Sequence, residues 1–111
     1  MADAAYRVEL TSGAEDDLET LHDYIARHRS PGQADELLDA ILKRIATLER
    51  FPKRGAVPTE LAALGITEFR QVIVGPYRMV YRTLGQKVFI SVIADGRRDI
   101  QALLEQRLLN K

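Results

Sequence analysis

Gly75-Pro76-Tyr77-Arg78-Met79-Val80-Tyr81-Arg82, with Asp95-Gly96-Arg97-Arg98-Asp99 after it, sets how the rest of this chain is read. Gly75-Pro76 supplies a tight reversal, and the residues that follow alternate in character. Tyr77, Met79 and Tyr81 share one face of a strand, while Arg78, Val80 and Arg82 share the other. Gly85-Gln86 supplies a second reversal. The runs on either side, residues 69–74 and 87–94, are rich in β-branched residues. Three strands joined by two tight turns predict an antiparallel meander. Its tyrosine face is expected to be covered by helices, and its arginine face to be open.

The covering helices lie upstream. Tyr6-Arg7-Val8-Glu9-Leu10 has the alternation of a half-buried strand. Ser12 stands three residues before Glu15, the spacing of a capping box, and acids crowd the first turn. Ala14, Leu18, Leu21 and Ile25 then fall on one face of a helix expected over residues 14–28. Ser30-Pro31-Gly32-Gln33 ends that helix and starts another, with serine as cap and proline at the first position. Leu37, Leu38, Ile41, Ile45 and Leu48 carry the second helix to about residue 50, where Phe51-Pro52 stops it. Helices joined by so short a turn form an antiparallel hairpin. Residues 53–67 hold two glycines and Pro58 and read as a loop, with one helical turn near residues 60–64. Ile100, Leu103, Leu104 and Leu108 mark a short amphipathic helix at the end. The fold class is α+β: an N-terminal strand, a helical hairpin, a three-stranded antiparallel meander completing one sheet, and a short C-terminal helix.

A chain of 111 residues fits one domain, residues 1–111, with one two-layer core. There is no cysteine, so disulfides, thiol nucleophiles and cysteine-based zinc sites are excluded. No apolar run has the length of a membrane span, and the early residues Asp3, Arg7 and Glu9 do not suit a signal peptide, so a cytoplasmic location is expected. The formal net charge is zero but unevenly distributed. Residues 11–26 contain five acids and no lysine or arginine. Capping and a solvated face account for those acids. Between Arg70 and Arg98 stand six basic side chains (Arg70, Arg78, Arg82, Lys87, Arg97, Arg98) against one acid, Asp95. A neutral chain has no overall field to draw it to nucleic acid, so any phosphate recognition must be local.

His22 and His28 are the only histidines, six residues apart and outside any metal motif. They read as surface residues, with His22 free to pair with a neighbouring acid, and no metal or cofactor is expected. Serines sit at caps and turns apart from Ser91, and no triad follows from residue order. Arg70, Arg78, Arg82, Arg97 and Arg98 remain as candidate binding residues for phosphates, carboxylates or an acidic partner. Arginine clamps anions and stabilises developing charge but stays protonated, so a metal-free ribonuclease would also need an acid–base group. Tyr77 and Tyr81 are expected to face the core instead. Solvated positions on exposed strands are the other reading of the same arginines.

The ordered set of strand, helical hairpin, Phe51-Pro52-x-x-Gly55, arginine strand, Pro76-Tyr77-Arg78-x-x-Tyr81 and Asp95-Gly96-Arg97-Arg98-Asp99 resembles the RelE/ParE superfamily of bacterial type II toxins. The resemblance covers residues 6–109. It implies a growth-inhibiting toxin neutralised by a cognate antitoxin, with operator DNA reached only through that antitoxin. RelE-like members cleave messenger RNA on the ribosome, and by position Arg78 and Arg98 match their two catalytic arginines. Their upstream lysines have no match at Phe69-Arg70-Gln71, and Leu104 stands where a C-terminal tyrosine is expected. ParE-like members poison DNA gyrase and need no acid–base pair. The chain resembles ParE more closely, which implies DNA gyrase as partner and no enzymatic activity. The ribosome with its mRNA, or an inactive antitoxin-binding module, are the alternatives.

Overall fold

The structure is a computed structural model that describes residues 5–109. Its centre is a four-stranded sheet in the order β1-β4-β3-β2. Strand β1 spans Arg7–Leu10, β2 Phe69–Val74, β3 Tyr77–Leu84 and β4 Lys87–Asp95. The last three form the expected meander, with Val72 opposite Met79 and Met79 opposite Ile93. Gly75 and Gly85 take φ of 59° and 61° at the two reversals, a backbone region open to glycine and costly for other residues. The first strand adds in parallel to β4, Arg7 beside Lys87 and Leu10 beside Ile90. A register shift at Val80/Tyr81 leaves Ser91 as the extra residue of a bulge in β4.

Helices α1 (Ser12–His28) and α2 (Pro31–Leu48) form the hairpin. The cap of α1 is Thr11 rather than Ser12: its hydroxyl accepts from the Ala14 N–H at 3.2 Å, and the helix starts two residues earlier than the spacing predicts. Ser30 caps α2 as expected, its hydroxyl accepting from the Gln33 N–H at 3.0 Å with Pro31 at the first position. Both helices lay an apolar stripe on one face of the sheet. Ile41 and Leu48 pack there with Met79, Tyr81, Val88 and Ile90, all fully buried. Each such side chain contributes about 1.5–3 kcal/mol relative to an exposed one.

The other face is not open, contrary to the alternation-based expectation. Helix α3 (Thr59–Ala62), α4 (Ile100–Leu104) and a π-helical turn at Glu105–Leu109 cover much of it. Leu61, Phe69, Val80, Val92, Ile100 and Leu104 make a second buried cluster there. The reason is in the strands: Val80, Val92 and Ala94 interleave with the polar positions, and the burial of such residues is favourable. The arginines of this face are therefore half-enclosed. Among the described residues no helix is long and apolar enough to cross a membrane.

Candidate functional site

The five candidate arginines do not form one patch. Arg70, at the outer strand β2, donates from Nη1 to the Gly55 carbonyl at 2.8 Å. Arg78 is held most tightly: Nε donates to Gln71 Oε1 at 2.7 Å, and Nη1 and Nη2 donate to the two Glu60 carboxylate oxygens at 2.9 and 2.8 Å. A forked guanidinium–carboxylate pair of this geometry is among the stronger polar contacts. Its side chains are only 13% and 24% exposed. The Arg78 guanidinium, backed by hydrogen bonding, holds the Glu60 carboxyl down at about 2 despite the opposing effect of burial. Arg82 lies over the Phe69 ring at 5.4 Å, and its Nε is buried without a hydrogen-bond partner among the described residues.

Arg97 and Arg98 belong to a different place, the turn after β4. Arg97 chelates Asp95 at 3.0 and 2.6 Å, and its hydrogen bonds hold that carboxyl down at about 2. The same contact raises the Arg97 pKa further. Arg98 is exposed and makes no side-chain hydrogen bond or ion pair among the described residues. Both line a cleft of about 650 Å³ between α1 and the end of β4. Tyr24, His28 and Arg29 form its helical wall, and Tyr77 and Ile93 lie on its sheet side. Tyr77 is half-buried at this cleft instead of in the core; Tyr81 is fully buried as expected. The Tyr81 hydroxyl accepts from the Gly55 N–H at 3.1 Å, and burial raises its pKa. Gly55 is required there, because a Cβ would meet the Gln71 carbonyl and the Tyr81 hydroxyl.

A sequence model of the ParE toxin of type II toxin-antitoxin systems, parDE, matches residues 8–100. The chain belongs to the ParE toxin family. Two solved structures are similar in fold to this ParE-family chain. One is the chromosomal ParDE toxin–antitoxin system of P. aeruginosa, with a TM-score of 0.69 at 18% identity over 84% of this chain and 98% of that one. The other is the RelBE2 toxin–antitoxin complex of Mycobacterium tuberculosis, with a TM-score of 0.53 at 24% identity over 82% of this chain and 98% of that one. No curated protein sequence matches the chain.

Within this ParE-family toxin the residues that decide what the arginines do were not legible as partners. Glu60 and Gln71 are 18 and 7 residues from Arg78, with nothing in the local strings to link them. Asp17 is not one of the solvated acids that the sequence suggests. It accepts from the Ile93 N–H at 2.9 Å and from Arg107 Nη1 and Nη2 at 3.0 and 3.1 Å, so a helix acid closes on the sheet. His22 does pair with an acid, Asp35 of α2, at 3.0 Å. Leu104 is fully buried.

Proposed function

We propose that this chain inhibits bacterial growth by contact with DNA gyrase, without nuclease chemistry, and that a cognate antitoxin neutralises it. The observation that supports this reading is the state of Arg78. Its guanidinium is forked on Glu60 and tied to Gln71, so anion clamping would first require breaking three hydrogen bonds. A carboxylate does stand beside it, as a ribonuclease would need. Held at about 2, however, Glu60 is a weak base at neutral pH and neutralises its neighbour. Family membership supports the antitoxin partner, as does the description of both structural neighbours as toxin–antitoxin systems.

The test is induction of this protein alone in a bacterium, with DNA-precursor and amino-acid incorporation followed side by side. An early fall in DNA synthesis while translation continues is the expected result. An early fall in translation would replace this reading with ribosome-dependent mRNA cleavage and return Arg78 and Arg98 to catalytic roles. Undisturbed growth would leave an inactive antitoxin-binding module.

A further inference from the structure

Strand β1 accompanies β4 only as far as Leu10 beside Ile90, because Thr11 caps α1 and takes the chain off the sheet. Past Ile90 the outer side of β4 has no strand neighbour among the described residues. Its outward backbone groups are met by other means. The Ile90 carbonyl accepts from the Thr11 N–H at 3.0 Å, and the Ser91 carbonyl accepts from Arg107 Nη2 at 2.7 Å. The Ile93 N–H donates to Asp17 Oδ2 at 2.9 Å. Residues of an antiparallel ladder alternate between facing their partner strand and facing away. With Ile93 facing out, Ala94 faces β3 and Asp95 faces out again. Gly96 has the parity this requires, its N–H donating inward to the Pro76 carbonyl at 2.8 Å. The Asp95 carbonyl accepts from the Arg98 N–H at 3.1 Å. Two outward groups are left: the Ile93 carbonyl and the Asp95 N–H. Neither has a hydrogen-bond partner among the described residues.

These two groups flank Ala94 and have the spacing of a β-bridge, parallel or antiparallel. An incoming residue would sit beside Ala94, in the row that β1 leaves vacant. The Ile93 carbonyl and the Asp95 N–H would be bonded by that residue in a parallel strand, or by its two neighbours in an antiparallel one. Ile93, Ala94 and Asp95 are themselves lining residues of the 650 Å³ cleft. Leu21, Tyr24 and Ile25 give it an apolar and aromatic wall for an alternate side chain. Its charges are polarised. Asp95 is neutralised by Arg97 and Asp17 by Arg107, which leaves Arg29 and Arg98 exposed near the turn and Asp16 at the other end.

We infer that the free edge of β4 takes up an acidic, extended segment of a protein partner as an added strand, its carboxylates against Arg29 and Arg98. Main-chain bonding to a sheet edge supplies affinity in this mode, and flanking side chains select the peptide. On the reading above that partner is the antitoxin, and only the partner's identity rests on that reading.

The probe is a short blocked peptide alternating glutamate and valine, added to the full chain and followed by amide NMR. The Asp95 amide is expected to exchange at least tenfold more slowly with peptide bound. A lysine–valine peptide and an N-methylated form of the acidic one are expected to give no protection. The double variant Arg29→Glu, Arg98→Glu is expected to bind the acidic peptide at least tenfold more weakly. Both residues are exposed, so the variant keeps its core. Unchanged Asp95 exchange at millimolar acidic peptide would overturn the inference, as would equal protection by the lysine peptide. Growth inhibition by the unmodified chain is scored separately. A chain that binds the peptide yet leaves growth unaffected would refute the toxin reading and leave strand addition standing.

Discussion

A guanidinium on a strand can face water, a phosphate or a carboxylate, and Arg78 faces a carboxylate. With Glu60 held at about 2 against an ordinary value of 4.5, ionisation of this carboxyl favours the folded state by about 2–3 kcal/mol at neutral pH once screening by solvent is allowed for. Because the folded-state pKa is the lower one, this contribution is complete above about 4.5 and disappears as pH falls towards about 2. Glu60→Gln is expected to lower stability by about 2–3 kcal/mol at pH 7 and by progressively less below about pH 4.5. Urea unfolding of both proteins across that range measures the convergence; parallel curves would show that the pair does not couple to folding. Tyr81 sets a similar test without charge. Its buried hydroxyl receives the Gly55 N–H, so Tyr81→Phe orphans a donor at a cost of about 1–3 kcal/mol. That loss is expected to be flat with pH between 5 and 8, since neither partner titrates there.

Among the elements, the two long helices and the meander were legible because each carries a repeating signal. Ser30-Pro31-Gly32-Gln33 is a cap, a first-turn proline and a helix start in four residues, and α2 begins there. Gly75 and Gly85 stand at the two reversals with positive φ. Pairwise closures across the chain have no such periodic trace. Arg107 reaches Asp17 across 90 positions, and nothing near either residue marks the other as its partner. Enclosure of Arg78 was missed for the same reason, since the short α3 that brings Glu60 offers a single turn of pattern. The Arg107 contact is a latch: one side chain ties the π-helical turn to α1 and to the bulge carbonyl of Ser91. Arg107→Ala leaves the Asp17 carboxylate without its cation and the Ser91 carbonyl without a donor. The expected loss is about 1–3 kcal/mol. Hydrogen exchange of residues 100–109 is expected to quicken more than that of α2, which lacks the latch. Uniform quickening along the chain would mean that the C-terminal segment opens only with global unfolding.

For the molecule as a whole, the consequential difference from a two-layer domain is that the sheet is covered on both faces. Helices α1 and α2 cover one, while α3, α4 and the π-helical turn cover the other. The second cover is short, and it rests on few side chains. Ile100 and Leu104 are buried to 4% and 0% exposure against Val80 and Val92. At about 1.5–3 kcal/mol each they contribute about 3–6 kcal/mol, a large part of the 5–15 kcal/mol typical of a domain. A chain ended at residue 99 also loses the Arg107 latch while keeping the hairpin and all four strands. It is therefore expected to retain its helical circular dichroism at low temperature, to unfold at much lower urea, and to bind a hydrophobic dye at the bared face. The Arg78–Glu60 pair survives this cut, because β3 and α3 carry its two members and β2 supplies Gln71 beside them. If the shortened chain unfolds at the same urea concentration as the full one, the second cluster is a cover without energetic weight. The hairpin-side core alone would then hold the sheet.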